Sequence, residues 1–296
     1  MKKTTAFLQL MRPANIATSI ADVLAGIAIS GFFTGPGLHE NNISSILFLC
    51  ISTAGLYGGG VVFNDVFDAE LDKFERPERP LPKGIVSKKA ATFLAIILLL
   101  IGIISATIVT VLSGVLALTI AVSALIYNKW SKHHAIAGPV NMGLCRGLNL
   151  LLGISIVQAA VSEWWFIAFV PIIYIAAITM ISRGEVHGGR KSTLYFAGIL
   201  YLMVIAAILF LSFSKEMFWS AIIFLLPFGW MIFSALIKAI RVPAPQNIGK
   251  AVKAGVLALI LMNAGWAAAF GAVAVAFVIV LLLPLSLWLA KIFAVT

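Results

Sequence analysis

An all-α bundle of membrane-crossing helices is what this chain encodes. It is 61% hydrophobic and only 11% charged over 296 residues, with a mean hydropathy of +1.08, a balance that no ordinary soluble domain carries. Mostly apolar segments recur along its length, each within the about 17–25 residues a helix needs to cross the bilayer core. They are continuous rather than alternating in polarity, which excludes a membrane β-barrel. Cys50 and Cys145 are too few for a disulfide framework and, in apolar surroundings, read as packed thiols.

The opening residues, MKKTTAFLQLMRP, are basic and then mildly apolar with no signal-type cleavage site, so the N-terminus is expected to be retained. Spans follow at about 14–33, 43–64, 90–112, 114–128, 139–160, 164–182, 193–213 and 217–237. The last apolar stretch, about 254–290, is one tilted span with an interfacial tail or two spans turning near Gly271, giving nine or ten in all. Lys2, Lys3 and Arg12 precede the first span, Lys73 to Lys89 follow the second, and Lys129 and Lys132 the fourth. Arg183, Arg190 and Lys191 follow the sixth, and Lys238 to Lys253 the eighth. The other loops hold Glu40, Glu163 and Glu216, with Lys215 their only base. This asymmetry predicts a multi-pass protein with a cytoplasmic N-terminus, and it accounts for the formal charge of +10 with no nucleic acid partner.

Six of the eleven acidic residues fall in one stretch, Val61 to Gly84, VVFNDVFDAELDKFERPERPLPKG. On a helix advancing about 100° per residue, Asn64, Asp65, Asp68 and Asp72 share one face while Glu70 points away as a surface carboxylate. Three aspartates on one face repel unless a cation sits among them. The bland alternative is an acidic loop paired with its own Arg and Lys. With no His or Cys at metal spacing, the donors are hard oxygens suited to Mg²⁺, which shares its shell with phosphates. Arg76, Arg79 and Lys83 stand directly behind to hold phosphate oxygens, and Pro77, Pro80 and Pro82 stiffen the loop. A diphosphate attached to an apolar group is the natural ligand.

N64-D65-x-x-D68-x-x-x-D72 followed by R76-P-x-R79-P-L-P-x-G84 resembles the first signature of the UbiA superfamily of intramembrane prenyltransferases. The resemblance continues through Arg12-Pro13 and Asn15, through Tyr127 and Lys132, and through GPVNMGLCRGLNLLLG. The runs LYGGGVVFNDVFDAELD, MGLCRGLNLLLG and ISRGEVHGG are most similar to the EboC-type branch, found in bacterial clusters for secondary-metabolite handling. It implies one UbiA-like domain over 1–296 in a bacterial cytoplasmic membrane, its active site facing the cytoplasm. The implied activity is Mg²⁺-dependent transfer of an isoprenyl group from an isoprenyl diphosphate to an acceptor that these residues do not name. Asn64, Asp65, Asp68 and Asp72 would hold the metal. Arg12, Asn15, Arg76, Arg79, Lys83, Tyr127 and Lys132 would hold the donor, Tyr127 being equally readable as an interfacial anchor. Membrane lipid surrounds the whole.

The family's second aspartate motif is replaced by ISRGEVHGGRK, with Glu185 its single carboxylate, His187 near it and Arg183, Arg190 and Lys191 around. Glu185 is expected as the opposing metal ligand or an acceptor-side base, with Arg183 and His187 as substrate contacts; the alternative is a loop acid paired with its basic neighbours. Arg146, well inside a span, should face a polar cavity with Asn141 and Asn149 near it. Asp22 is cavity-facing or else a hydrogen-bonded structural acid, and Asn263 is structural. Gly143, Gly147 and Gly153 serve close helix packing. The rival function is a non-catalytic polyprenyl-phosphate carrier or export-complex subunit, although the two halves show no matching broken helices. A CDP-alcohol phosphotransferase is excluded, because its DG…AR…G…D…D spacing is missing.

Overall fold

The computed structural model describes residues 3–34, 43–186 and 188–293, and these are helical with no strand among them. In chain order the helices are α1 Lys3–Met11, α2 Pro13–Ile29, α3 Ile43–Phe67, α4 Ala69–Glu75, α5 Lys88–Val109, α6 Val111–Lys129, α7 Ala137–Ile154, α8 Gln158–Trp164, α9 Phe169–Ser182, α10 Lys191–Ser214, α11 Phe218–Arg241, α12 Pro245–Ala269 and α13 Val273–Phe293. Among the described residues, eight segments are long and apolar enough to cross a membrane, α8 and α9 counting as one interrupted crossing. The apolar α2, 17 residues long, and the more polar α7 run with them.

Local chemistry sets the boundaries. Pro13 opens α2 where a missing amide costs nothing. The Ser87 hydroxyl accepts from Ala90 N to cap α5, and Thr110 both ends α5 and caps α6, accepting from Ser113 N. Gly271, at φ +81°, turns the chain between α12 and α13, so the last apolar stretch is two helices. The expected span 139–160 is shorter, because α7 stops at Ile154 and the chain is extended at Val157 before α8 begins.

The core gathers on α12, whose residues from Leu257 to Ala269 are buried, with α9, α10 and α11 around it. α2 and α7 cross in near contact where Gly26 meets Gly153. A Cβ on Gly26 would run into the Leu150 carbonyl, and one on Gly153 into the Val23 carbonyl. Gly143 and Gly147 bring α7 equally close to the Ile172 and Ala168 carbonyls. Above the α2–α7 crossing the helices diverge and enclose a cavity.

The start of α2, the ends of α3, α6 and α9, and the α11–α12 connection all meet at one end of the bundle. Arg12 reaches Asp65, Lys132 reaches Asp68, Arg183 donates to the His134 carbonyl, and Gly189 N donates to the Pro243 carbonyl. These are loops that the charge pattern grouped together. Lys215, from the opposite set of loops, lies over the rings of Trp164 and Phe270 at 4.5 and 4.6 Å.

Candidate active site

A cavity of about 390 Å³ lies between α2, α3, α6, α7, α9 and α12. Arg12, Asn15, Asn64, Tyr127 and Asn128 line it toward the charged end, and Tyr57, Arg146 and Asn149 line it deeper, with apolar walls from Ile120, Ala124, Met142, Ile175 and Ile178.

The acidic face is built across a break. α3 ends at Phe67 and α4 begins at Ala69, yet Asp68 N still bonds to Asn64 O at 3.0 Å and Asp72 N to Asp68 O at 2.8 Å. Helical spacing therefore survives, and Asp65 and Asp72 turn inward while Glu70 faces out. Glu70 pairs with Lys73 at 2.7 Å, and that ammonium holds its carboxyl below the ordinary value.

Each aspartate has a cationic partner. Asp65, nearly fully buried, accepts from Arg12 at 2.8 Å and from Arg79 at 3.2 Å, and Arg79 also donates to Asp72 at 2.8 Å. Asp68 pairs with Lys132. Arg12 reaches Asp65 from a left-handed backbone, φ 49° and ψ 64°, between α1 and α2, a conformation costly for a side-chain-bearing residue. Arg76 and Lys83 are exposed beside the cluster. Glu185 is on the α9–α10 loop, close enough to Arg76 to feel its charge, and partial burial raises its carboxyl against that pull. Arg183 is turned to the His134 carbonyl. His187 lies outside the described residues.

The five predicted ligands are not gathered round one point. Among the described residues, no three of His, Cys, Asp and Glu lie close enough to hold a metal. The physical reason is the arginine clasp: Arg79 sits between Asp65 and Asp72 and supplies the positive charge that sequence reasoning assigned to a cation. The donor chemistry still fits Mg²⁺. Asn64, Asp68 and Asp72 offer only oxygen and amide groups, and one carboxylate oxygen of Asp68 and one of Asp72 carry no bond among the described residues. An incomplete protein shell of this kind suits an ion whose shell phosphate and water complete.

At the deep end, Arg146 Nη1 donates to Asp22 at 2.7 Å and Nη2 to Thr18 at 2.8 Å, with the guanidinium over the Tyr57 ring at 5.2 Å. Asp22 also accepts from Asn149 at 3.1 Å and Asn263 at 2.7 Å, so it supports Arg146 from behind as a structural acid. Thr53 donates to Asn149 Oδ1. Asn141, expected beside Arg146, instead bonds to Ser131. Sequence reasoning missed Thr18, Ser19, Thr53 and Tyr57, while Asn263 has the structural place expected of it, bonded to Asp22. The signal was available on α2, where Asn15, Ser19 and Asp22 recur at helical spacing inside an apolar span.

A bundle of apolar helices with an aspartate-and-arginine cluster beside a partly apolar cavity defines the class, a polytopic helical membrane protein with a charged site at one end. The chain belongs to the UbiA prenyltransferase family, whose profile matches residues 23–252. It is similar to the digeranylgeranylglyceryl phosphate synthase of Ignicoccus hospitalis, with 31% identity over 63% of this chain and 59% of that protein. The enzyme of that name from Thermococcus kodakarensis is 35% identical over 50% of this chain and 51% of its own length. The matched region thus spans less than two thirds of each of these relatives. A UbiA homolog from Archaeoglobus fulgidus, solved bound to DMAPP and Mg²⁺, superimposes with a TM-score of 0.65 at 17% identity, covering 90% of this chain and 99% of that one. At that identity the likeness shows the fold alone.

Proposed function

We propose that this chain is an integral membrane prenyltransferase that moves an isoprenyl group from its diphosphate to an acceptor, with residues 1–296 working as one unit. The observation that carries the reading is the set of cations Arg12, Arg79 and Lys132, each paired to a carboxylate, with Arg12 and the neighbouring Asn64 lining the charged end of a cavity with apolar walls. The family relatives are named as synthases of a digeranylgeranylglyceryl phosphate, and the solved homolog holds DMAPP with Mg²⁺. Both names describe isoprenoid transfer or its donor.

In this reading the diphosphate binds at the mouth and draws Arg12, Arg79 and Lys132 from their aspartates, with Arg76 and Lys83 closing from the loop. The carboxylates so released, Asp68 and Asp72, with Asn64, would hold Mg²⁺, and Asp65 supports them. Bound Mg²⁺ would offset charge growing on the departing diphosphate. The apolar walls keep water from the allylic cation while an acceptor nucleophile, entering near Glu185, attacks. Tyr127, at the charged end, presents aromatic surface to that cation. The site faces the cytoplasm by the charge asymmetry, and the EboC-type runs put it in a bacterial inner membrane. Those runs alone carry that branch, while the relatives above are digeranylgeranylglyceryl phosphate synthases.

Diphosphate release by purified protein tests the proposal, using farnesyl, geranylgeranyl and longer donors with a cell extract as acceptor source. Release that requires Mg²⁺ is expected. Folded protein that binds the donors and releases nothing across the panel would instead be the carrier or export subunit.

A further inference from the structure

We infer that the deep end of the cavity is a second binding station, one that takes an uncharged oxygen function of the acceptor. The word acceptor rests on the prenyl-transfer reading; the station itself rests on the geometry. Tyr57 stands seven residues before Asn64 on α3, so at about 1.5 Å per residue the station lies about 10 Å below the mouth. It is closed beneath by the crossing of Gly26 and Gly153.

The hydrogen-bonding capacity left over at that depth is specific. Asn149 is spent, its amide donating to Ser19 and Asp22 and its carbonyl accepting from Thr53. Arg146 is 8% exposed and uses one N–H on Asp22 and one on Thr18; its remaining N–H groups and the Tyr57 hydroxyl have no partner among the described residues, and both side chains line the cavity. A hydrocarbon tail laid against them would leave buried donors unpaired, which is costly within a membrane. The tail therefore follows the apolar lining of Ile120, Ile175 and Ile178. An anion is also disfavoured, because Asp22 already neutralises Arg146 and would repel it in a low-dielectric site. A carbonyl, ether or hydroxyl oxygen accepts those N–H groups without adding charge. The two stations thus sort substrates by charge, with diphosphate at the cationic mouth and a neutral oxygen at the compensated floor.

The test uses benzamide and benzoate, a size-matched neutral and anionic pair, in equilibrium dialysis against the full chain in lipid nanodiscs at neutral pH. Saturable benzamide binding, about tenfold tighter than benzoate, is expected. Arg146→Met should weaken benzamide by about tenfold while Mg²⁺-dependent binding of inorganic diphosphate at the mouth persists. Tyr57→Phe, which removes only an unpartnered hydroxyl, should weaken benzamide by about threefold, and it keeps the test usable if Arg146→Met fails to fold. Asp22→Asn, which uncovers the Arg146 charge, should reverse the order so that benzoate binds better. No saturable benzamide binding by the wild-type chain, or benzoate binding as well as benzamide, overturns the inference. Dialysis is independent of turnover, so benzamide binding without diphosphate release would refute the prenyl-transfer reading and leave the station standing. Release without benzamide binding would do the opposite.

Discussion

Deleting the carboxylate of Asp65, 4% exposed, strands Arg12 and leaves Arg79 with Asp72 alone. Asp65→Ala is therefore expected to destabilise the protein by about 3 kcal/mol, read as a lowered unfolding temperature in detergent. Asp68 is more exposed and has the single partner Lys132, so Asp68→Ala should leave that temperature nearly unchanged and abolish turnover. Glu70→Ala should alter neither, since its only partner is the surface Lys73. Glu185 gives a pH test. Burial raises its carboxyl above the ordinary value, so the protonated form is favoured in the folded chain; its contribution to stability is present at low pH and lost as pH rises through the raised value. Transfer that needs its carboxylate should fall off in acid at a higher pH than an exposed glutamate would give. Glu185→Gln should slow transfer at neutral pH by at least tenfold, about 1.4 kcal/mol, and flatten that limb. An unchanged rate in Glu185→Gln would make it a loop acid paired with Arg76.

Helix packing shows what a sequence can and cannot carry. The close-packing glycines of α7 were legible and the turn at Gly271 was one of two readings, because each is local: a run of apolar residues, a small residue, a period of 3.6. The orientation of Asp65, Asp72 and Glu70 followed from the same period despite the break at Asp68. The carboxylates' partners were not legible. Asp22 and Arg146 lie 124 residues apart, and Lys132 and Asp68 lie 64 apart; those pairings exist only because α2, α3, α6 and α7 converge at particular heights. For the same reason Arg79 was assigned to phosphate when in this structure it clasps two aspartates. The α2–α7 crossing yields its own prediction. Gly153→Val forces a side chain into the Val23 carbonyl and should lower both folded yield and unfolding temperature sharply, whereas Gly249→Ala, whose added methyl meets only Glu185 Oε1 at 3.9 Å, should be tolerated.

At the scale of the whole molecule, the mouth is assembled from segments far apart in sequence that meet at one end of the bundle. Single cysteines at Lys83, Ser131 and Gly188, in a chain with Cys50 and Cys145 replaced, should label from the cytoplasm, and one at Glu163 from the other side only; labelling of Lys83 and Gly188 from opposite sides would separate the elements that build the site. The central claim is that the cationic mouth and apolar cavity together transfer an isoprenyl group. It is tested most directly by following the carbon. Purified protein is given geranylgeranyl diphosphate tritiated in the isoprenyl chain, Mg²⁺ and cell extract, and the label is sought in new lipid. The account predicts Mg²⁺-dependent movement of tritium into an extract-derived product by the wild-type chain and none by Asp68→Ala. Tritium that stays on diphosphate, or that moves equally well with Asp68→Ala, would contradict it.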